Sequence, residues 1–137
     1  MHLTRTLLIW VAIMAAETIH GTLRTLFLAP WIGDFRARQL ATFVGSLIIF
    51  AIAYWSVEWL GASSRSVLLA IGGLWAALTL AFEAALGRAL GFSWDRILED
   101  YDVSRGGLMA FGIAFLALSP WIAHKLRGIA HHWEATT

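Results

Sequence analysis

Apolar residues come in four long runs along this chain, and polar residues collect between them. The runs extend from Leu3 to Leu28, Leu40 to Leu60, Val67 to Arg88 and Gly107 to His124. Each is close to the roughly 20 mostly apolar residues that cross about 30 Å of hydrocarbon at 1.5 Å per residue. None has the one-sided stripe of a surface helix, and none alternates over about ten residues as a barrel strand does. Inside lipid every backbone N–H and C=O must be satisfied within its own segment, so these runs are read as helices. The expected fold is an all-α integral membrane protein with four transmembrane helices, forming one domain over residues 1–137.

The breaks are as legible as the spans. Leu28 to Asp34 contains Pro30 and Gly33, and Gly61 to Ser66 is a small polar turn ending in a residue able to cap the next helix. The third connection, Gly91 to Gly107, is longer and holds Asp95, Glu99, Asp100 and Asp102. Within it Trp94, Ile97, Leu98 and Tyr101 recur at helical spacing, which predicts a short amphipathic helix lying on the membrane surface. An ordinary solvated loop is the alternative. Residues 128–137 read as a short polar tail. Arg5 followed by the apolar run Leu7 to Ala16 imitates a signal peptide, but apolar character resumes after Glu17 and continues to Leu28, which argues for a retained span.

The two halves of the chain match in register. Trp10 aligns with Trp75, Glu17 with Glu83, Gly21 with Gly87, Arg38 with Arg105, Leu40 with Leu108, Phe43 with Phe111, Gly45 with Gly112 and Trp55 with Trp121, at offsets of 65 to 68. Ordered Trp, Glu, Gly and Arg matches are harder to obtain by chance than apolar ones. They suggest a parallel duplication of a helical hairpin, unit one over about 1–62 and unit two over about 63–127, related by an axis along the membrane normal.

Composition supports the same class. The apolar set makes up 59% of the chain and charged residues 14%, with a mean hydropathy of +0.71. Soluble domains run near 45–50% and 25%, and a 15.1 kDa globule has too little interior to hide the excess. Zero Cys excludes thiolate chemistry, disulfides and Cys-ligated zinc or iron–sulfur sites. A net charge of +1 offers no footprint for nucleic acid. The expected surroundings are the lipid bilayer of a bacterial-type inner (plasma) membrane, with a homo-oligomer or a membrane-protein partner. Six arginines flank the first and third connections against four basic residues at the other end, which weakly favours a cytoplasmic location for those connections. Trp31 and Trp94 mark one interface; Trp55, Trp59, Trp121 and Trp133 mark the other.

Ionisable groups within a span cost about 2.5–3.5 kcal/mol each at its centre, so each calls for a partner or a function. Glu17, His20 and Arg24 recur at i, i+3 and i+7 and form one polar stripe on the first span. Glu83, followed by Gly87 and Arg88, is the counterpart in the third. Gly21 and Gly87, one turn beyond each Glu, are expected to admit a neighbouring helix closely. The functional reading makes Glu17, His20, Arg24, Glu83 and Arg88 a site for a proton, cation or polar solute. The structural reading pairs Glu17 with Arg24 or Arg88, and Glu83 with the other, as ionic glue.

Metal and haem fit poorly. A di-iron bundle uses Glu-x-x-His twice, yet Glu17-x-x-His20 occurs once and Leu86 stands in the second position. His20 and His124 lie toward opposite membrane faces, which disfavours bis-His haem. His131-His132, in a mildly basic tail with His124, Lys125 and Arg127, is a weak metal candidate. The run Glu99 to Asp102 lacks calcium-loop spacing and reads as solvated. No Walker loop, HExxH, GxSxG or dinucleotide fingerprint occurs, and no cofactor is expected. Three function classes follow. The leading one is a small-solute or proton-linked transporter or channel. The alternative is a non-catalytic accessory or assembly subunit docking through Gly72-Gly73, Gly106-Gly107 and Gly112. A membrane enzyme using the Glu–His pair as acid and base comes third, without a substrate signature.

Overall fold

The computed structural model describes residues 2–136, without the side chains of 130–132 and 134–136. Helix α1 (Leu3–Leu23) runs through a π-helical turn (Arg24–Leu28) into α2 (Ala29–Ile32), and α3 (Asp34–Ser56) returns. Then come α4 (Arg65–Ala89), the short α5 (Trp94–Glu99), a 3₁₀ turn (Val103–Arg105) and α6 (Met109–Thr136). Four helical segments are long and apolar enough to cross a membrane: Leu3–Ile32, Asp34–Ser56, Arg65–Ala89 and Met109–Ile129. The protein is an all-α integral membrane protein, with α5 between its third and fourth spans.

Three boundaries differ from the sequence reading, each for a local reason. Pro30 does not end the first span. Lacking an N–H, it cannot donate to the Leu26 carbonyl and would crowd it in a regular α-helix, and the helix widens so that the Ala29 N–H donates to the Arg24 carbonyl before a last turn is made. The reversal is left to Gly33, whose φ of +90° few other residues adopt. The second span therefore starts at Asp34 rather than Leu40, which brings Arg36 and Arg38 into a helix. The tail expected over 128–137 continues α6 as far as Thr136. His131 and His132 lie outside the residues whose side chains are described. The cap of α4 is Ser64, not Ser66: its hydroxyl accepts from the Val67 N–H at 3.3 Å.

Pro120 lies inside α6, where it removes the N–H that would serve the Leu116 carbonyl. The buried Ser119 hydroxyl donates to that carbonyl at 2.8 Å and restores the lost bond within the span.

The helices pair as α1 with α3, α4 with α6, and α3 with α6. Tight packing occupies one half of the bundle. Ile13, Ile49, Ala53, Leu68, Ile71, Trp75, Leu116 and Ala123 form a single buried cluster there. Within it the Trp75 indole donates to the Thr6 carbonyl at 3.0 Å and the Trp10 indole to the Thr79 hydroxyl at 3.1 Å. These two bonds close the seam between α1 and α4, with Phe82 edge-on to Trp10. Trp75→Phe is expected to lower stability by about 1–2 kcal/mol, read as an earlier thermal transition in detergent, because a buried donor is removed and a gap is left. At the same end Arg127 donates to the Tyr54 carbonyl at 2.9 Å and pairs with Glu58 at 3.1 Å, joining α6 to α3. Trp31 and Trp94 are exposed at one end of the bundle and Trp55, Trp59 and Trp133 at the other.

Candidate functional site

Beyond the Trp10–Thr79 bond the bundle opens. A cavity of about 530 Å³ lies among α1, α3, α4 and α6, with the α4–α6 connection beside it. Its walls are mostly apolar, from Met14, Phe82, Leu86 and Leu116 among others, and its charged lining is Glu17, His20, Arg24, Arg38, Glu83 and Asp100.

Four of the five residues singled out from sequence meet here. Seven residues separate Glu17 from Arg24, about two helical turns, so both fall on one face with His20 between. Arg88 does not join them. Five residues beyond Glu83 it points about 140° away around α4. It donates instead to the Phe92 carbonyl at 3.1 Å and lies over the Trp94 ring at 5.3 Å, a cation serving the C-terminal end of its own helix.

The ionic pairs of the structural reading do not form among the described residues. Glu17 Oε2 lies 3.7 Å from His20 Nδ1, and its buried Oε1 has no hydrogen-bond partner among the described residues. Glu83 has no ion pair within 4.0 Å there, and neither does Arg24. Glu17, Glu83 and Arg24 nonetheless all line the one cavity.

Close approach is found at one of the two glycines expected to allow it and at a third. A Cβ at Gly21 would meet nothing within 4 Å, and one at Gly87 would meet Ile97 of α5. It is Gly45 on α3 that admits the carboxylate, since a Cβ there would stand 2.8 Å from Glu17 Oε2. Sequence reasoning passed over Arg38, Gln39, Thr42 and Ser46, which also line the cavity. Arg38, Thr42 and Gly45 follow one another at i, i+4 and i+7, a polar and small stripe that is complete only once the helix starts at Asp34.

The acidic run of the third connection is not merely solvated. Arg38, 9% exposed, pairs with Asp34 at 3.0 Å, with Glu99 at 3.4 Å and with Asp100. Arg96 adds Asp34 and Asp100, each at 3.4 Å. This network ties α5 to the first turns of α3 at the cavity's end. Ile97 is buried beneath it while Trp94 and Leu98 face outward, so the apolar face expected of α5 is shared between protein and surroundings. Among the described residues no cluster of three or more His, Asp or Glu is placed to hold a metal ion.

Tyr101 lies just outside the spans. Burial, with the Glu83 and Asp100 carboxylates nearby, pushes its phenol up to about 12. The folded chain disfavours the phenolate, so this preference supports the fold fully below the ordinary tyrosine value of about 10 and is lost as pH rises through about 12. In a Tyr54→Phe background, spectrophotometric titration of Tyr101 is expected to show a midpoint near 12, and Glu83→Gln should bring it down. An unchanged midpoint in Glu83→Gln would count against their proximity.

The glycines proposed for docking are mostly used within the chain. A Cβ at Gly72 would collide with the Ala117 carbonyl, Gly107 packs against the backbone of Glu99 and Asp100, Gly106 meets Gln39, and Gly112 meets Thr42. Only at Gly73, of these five, would a Cβ enter open space. No protein-family model, curated protein or solved structure matches this chain, so its functional reading rests on its own residues.

Proposed function

We propose that this membrane protein is a proton-linked transporter of a small polar solute, working from the cavity between its spans. The charge inventory of that cavity carries the reading. Charged groups held in a membrane without counter-ions are costly, and their retention is best explained by a ligand that completes them. Glu17 and His20 form the proton site: a carboxylate and an imidazole 3.7 Å apart can hold one proton more or one fewer with little movement. Glu83 and Arg24, each without an ion pair among the described residues, serve the opposite charges of the solute. The standing proton gradient of a bacterial-type inner membrane would supply the driving force.

The test is reconstitution in vesicles with an entrapped pH dye and ethanolamine phosphate, a small water-soluble zwitterion, as the added solute. Native protein is expected to couple solute entry to proton movement. Glu17→Gln should reduce that proton movement at least tenfold while the protein elutes and melts as the native form does. If native and Glu17→Gln vesicles behave alike, and both proteins co-purify with the same stoichiometric partner, the accessory-subunit alternative replaces this reading.

A further inference from the structure

A second cavity, of about 440 Å³, lies between α3 and α6 and is lined by Thr42, Phe43, Ser46, Leu108, Phe111, Gly112 and Phe115. Four of these, Thr42, Ser46, Leu108 and Gly112, also line the central cavity, so the two spaces share a wall. At that wall α3 and α6 come close, because Gly112 has no side chain and a Cβ there would stand 3.4 Å from the Thr42 methyl group. The wall is also apolar in effect. The Thr42 hydroxyl donates to the Arg38 carbonyl at 3.1 Å and the Ser46 hydroxyl to the Thr42 carbonyl at 2.7 Å, so both turn back onto their own helix. On the outer side Phe43 and Phe111 are 65% and 59% exposed, on two helices that span the membrane. The groove therefore opens toward lipid.

From this shared lining we infer that the transport site also takes a membrane-dissolved zwitterionic amphiphile of the lysophospholipid type, its head in the central cavity and its alkyl chain in the α3–α6 groove. The inference rests on the proposed transport site and names its substrate class. A head bearing an ammonium and a phosphate supplies the two counter-charges that Glu83 and Arg24 lack. The two charges do not pair with each other within 4.0 Å, and both line the same cavity of about 530 Å³. The groove offers aromatic and aliphatic walls and no charged side chain. An alkyl chain is what the surrounding bilayer presents there, beside lining residues that the groove shares with the central cavity.

The experiment uses full-length protein in phosphatidylcholine vesicles and a lysophosphatidylethanolamine carrying a diazirine at the end of its chain. Photolabelling followed by peptide mapping is expected to place most label on residues 43–46 and 108–115, with at least tenfold loss in Arg24→Gln/Glu83→Gln. Phe43→Ala/Phe111→Ala, two exposed positions whose truncation leaves the core intact, should scatter the label. An uncharged probe of equal chain length should mark all lipid-facing helices evenly. Even labelling by the zwitterionic probe, or enrichment that survives Arg24→Gln/Glu83→Gln, overturns the inference. If ethanolamine phosphate still drives Glu17-dependent proton movement in that case, the transport site stands and only the amphiphile falls. Loss of both overturns both.

Discussion

Gly72→Val is expected to prevent the bundle from assembling, giving aggregated protein in place of a single detergent elution peak, whereas the adjacent Gly73→Val should elute and melt much like the native chain. The contrast follows from the α4–α6 crossing. A Cβ on Gly72 falls on the backbone carbonyl of Ala117, while one on Gly73 meets nothing within 4 Å. The obstructing atom belongs to a helix backbone, so no rotamer change relieves the clash. The two helices must separate instead. Their packing carries buried Leu68, Ile71, Trp75 and Leu116, so separation disrupts the same cluster that holds α1 and α3. Overpacking commonly costs about 1–3 kcal/mol, and a rigid backbone obstacle belongs at or above the top of that range. Lipid tails solvate apolar helices as well as other helices do, so close contact between small residues is a principal force holding such a pair together. Equal behaviour of the two variants would show that this crossing does not govern assembly.

Arg38→Ala is expected to release the third connection while leaving the four spans folded. Arg38 pairs with Asp34, Glu99 and Asp100; without it Asp34 and Asp100 are left with Arg96, and Glu99 keeps no ion pair within 4.0 Å among the described residues. Removing one partner of a fully buried pair costs about 3–5 kcal/mol. Because Glu99 and Asp100 are about one-third exposed, solvent screens much of that, and a loss of about 1–2 kcal/mol is expected. Amide exchange and proteolysis across residues 94–106 should rise sharply, with helicity unchanged. Arg38→Lys should restore part of the protection, since one ammonium keeps the charge but not the fork that reaches several carboxylates. Unaltered exchange in Arg38→Ala would mean that the buried Ile97 alone anchors α5.

These two positions illustrate unequal legibility. Gly72 stands out in the sequence as a small residue in a span, yet nothing in the sequence distinguishes it from Gly73, because the difference is the direction of one Cα–H bond toward a helix 45 residues away. Arg38 precedes the apolar run that opens at Leu40, so hydropathy alone leaves it outside the second span. A π turn accommodates Pro30, and Gly33 alone turns the chain.

The sequence by itself determined the class of this protein and the composition of half its candidate site. Four apolar runs admit no other solution in lipid, where backbone hydrogen bonds must close within each segment. A seven-residue spacing puts Glu17 and Arg24 on one face whatever packs against them. The tertiary structure alone decided which charges pair. Glu17, Glu83 and Arg24 stayed apart because the helices pack tightly at the Trp10–Trp75 end and open at the other, while Arg88 turned away to its own helix terminus. Pairing depends on distances of a few ångströms between helices, and helical periodicity fixes angles within a helix but never the gap between two.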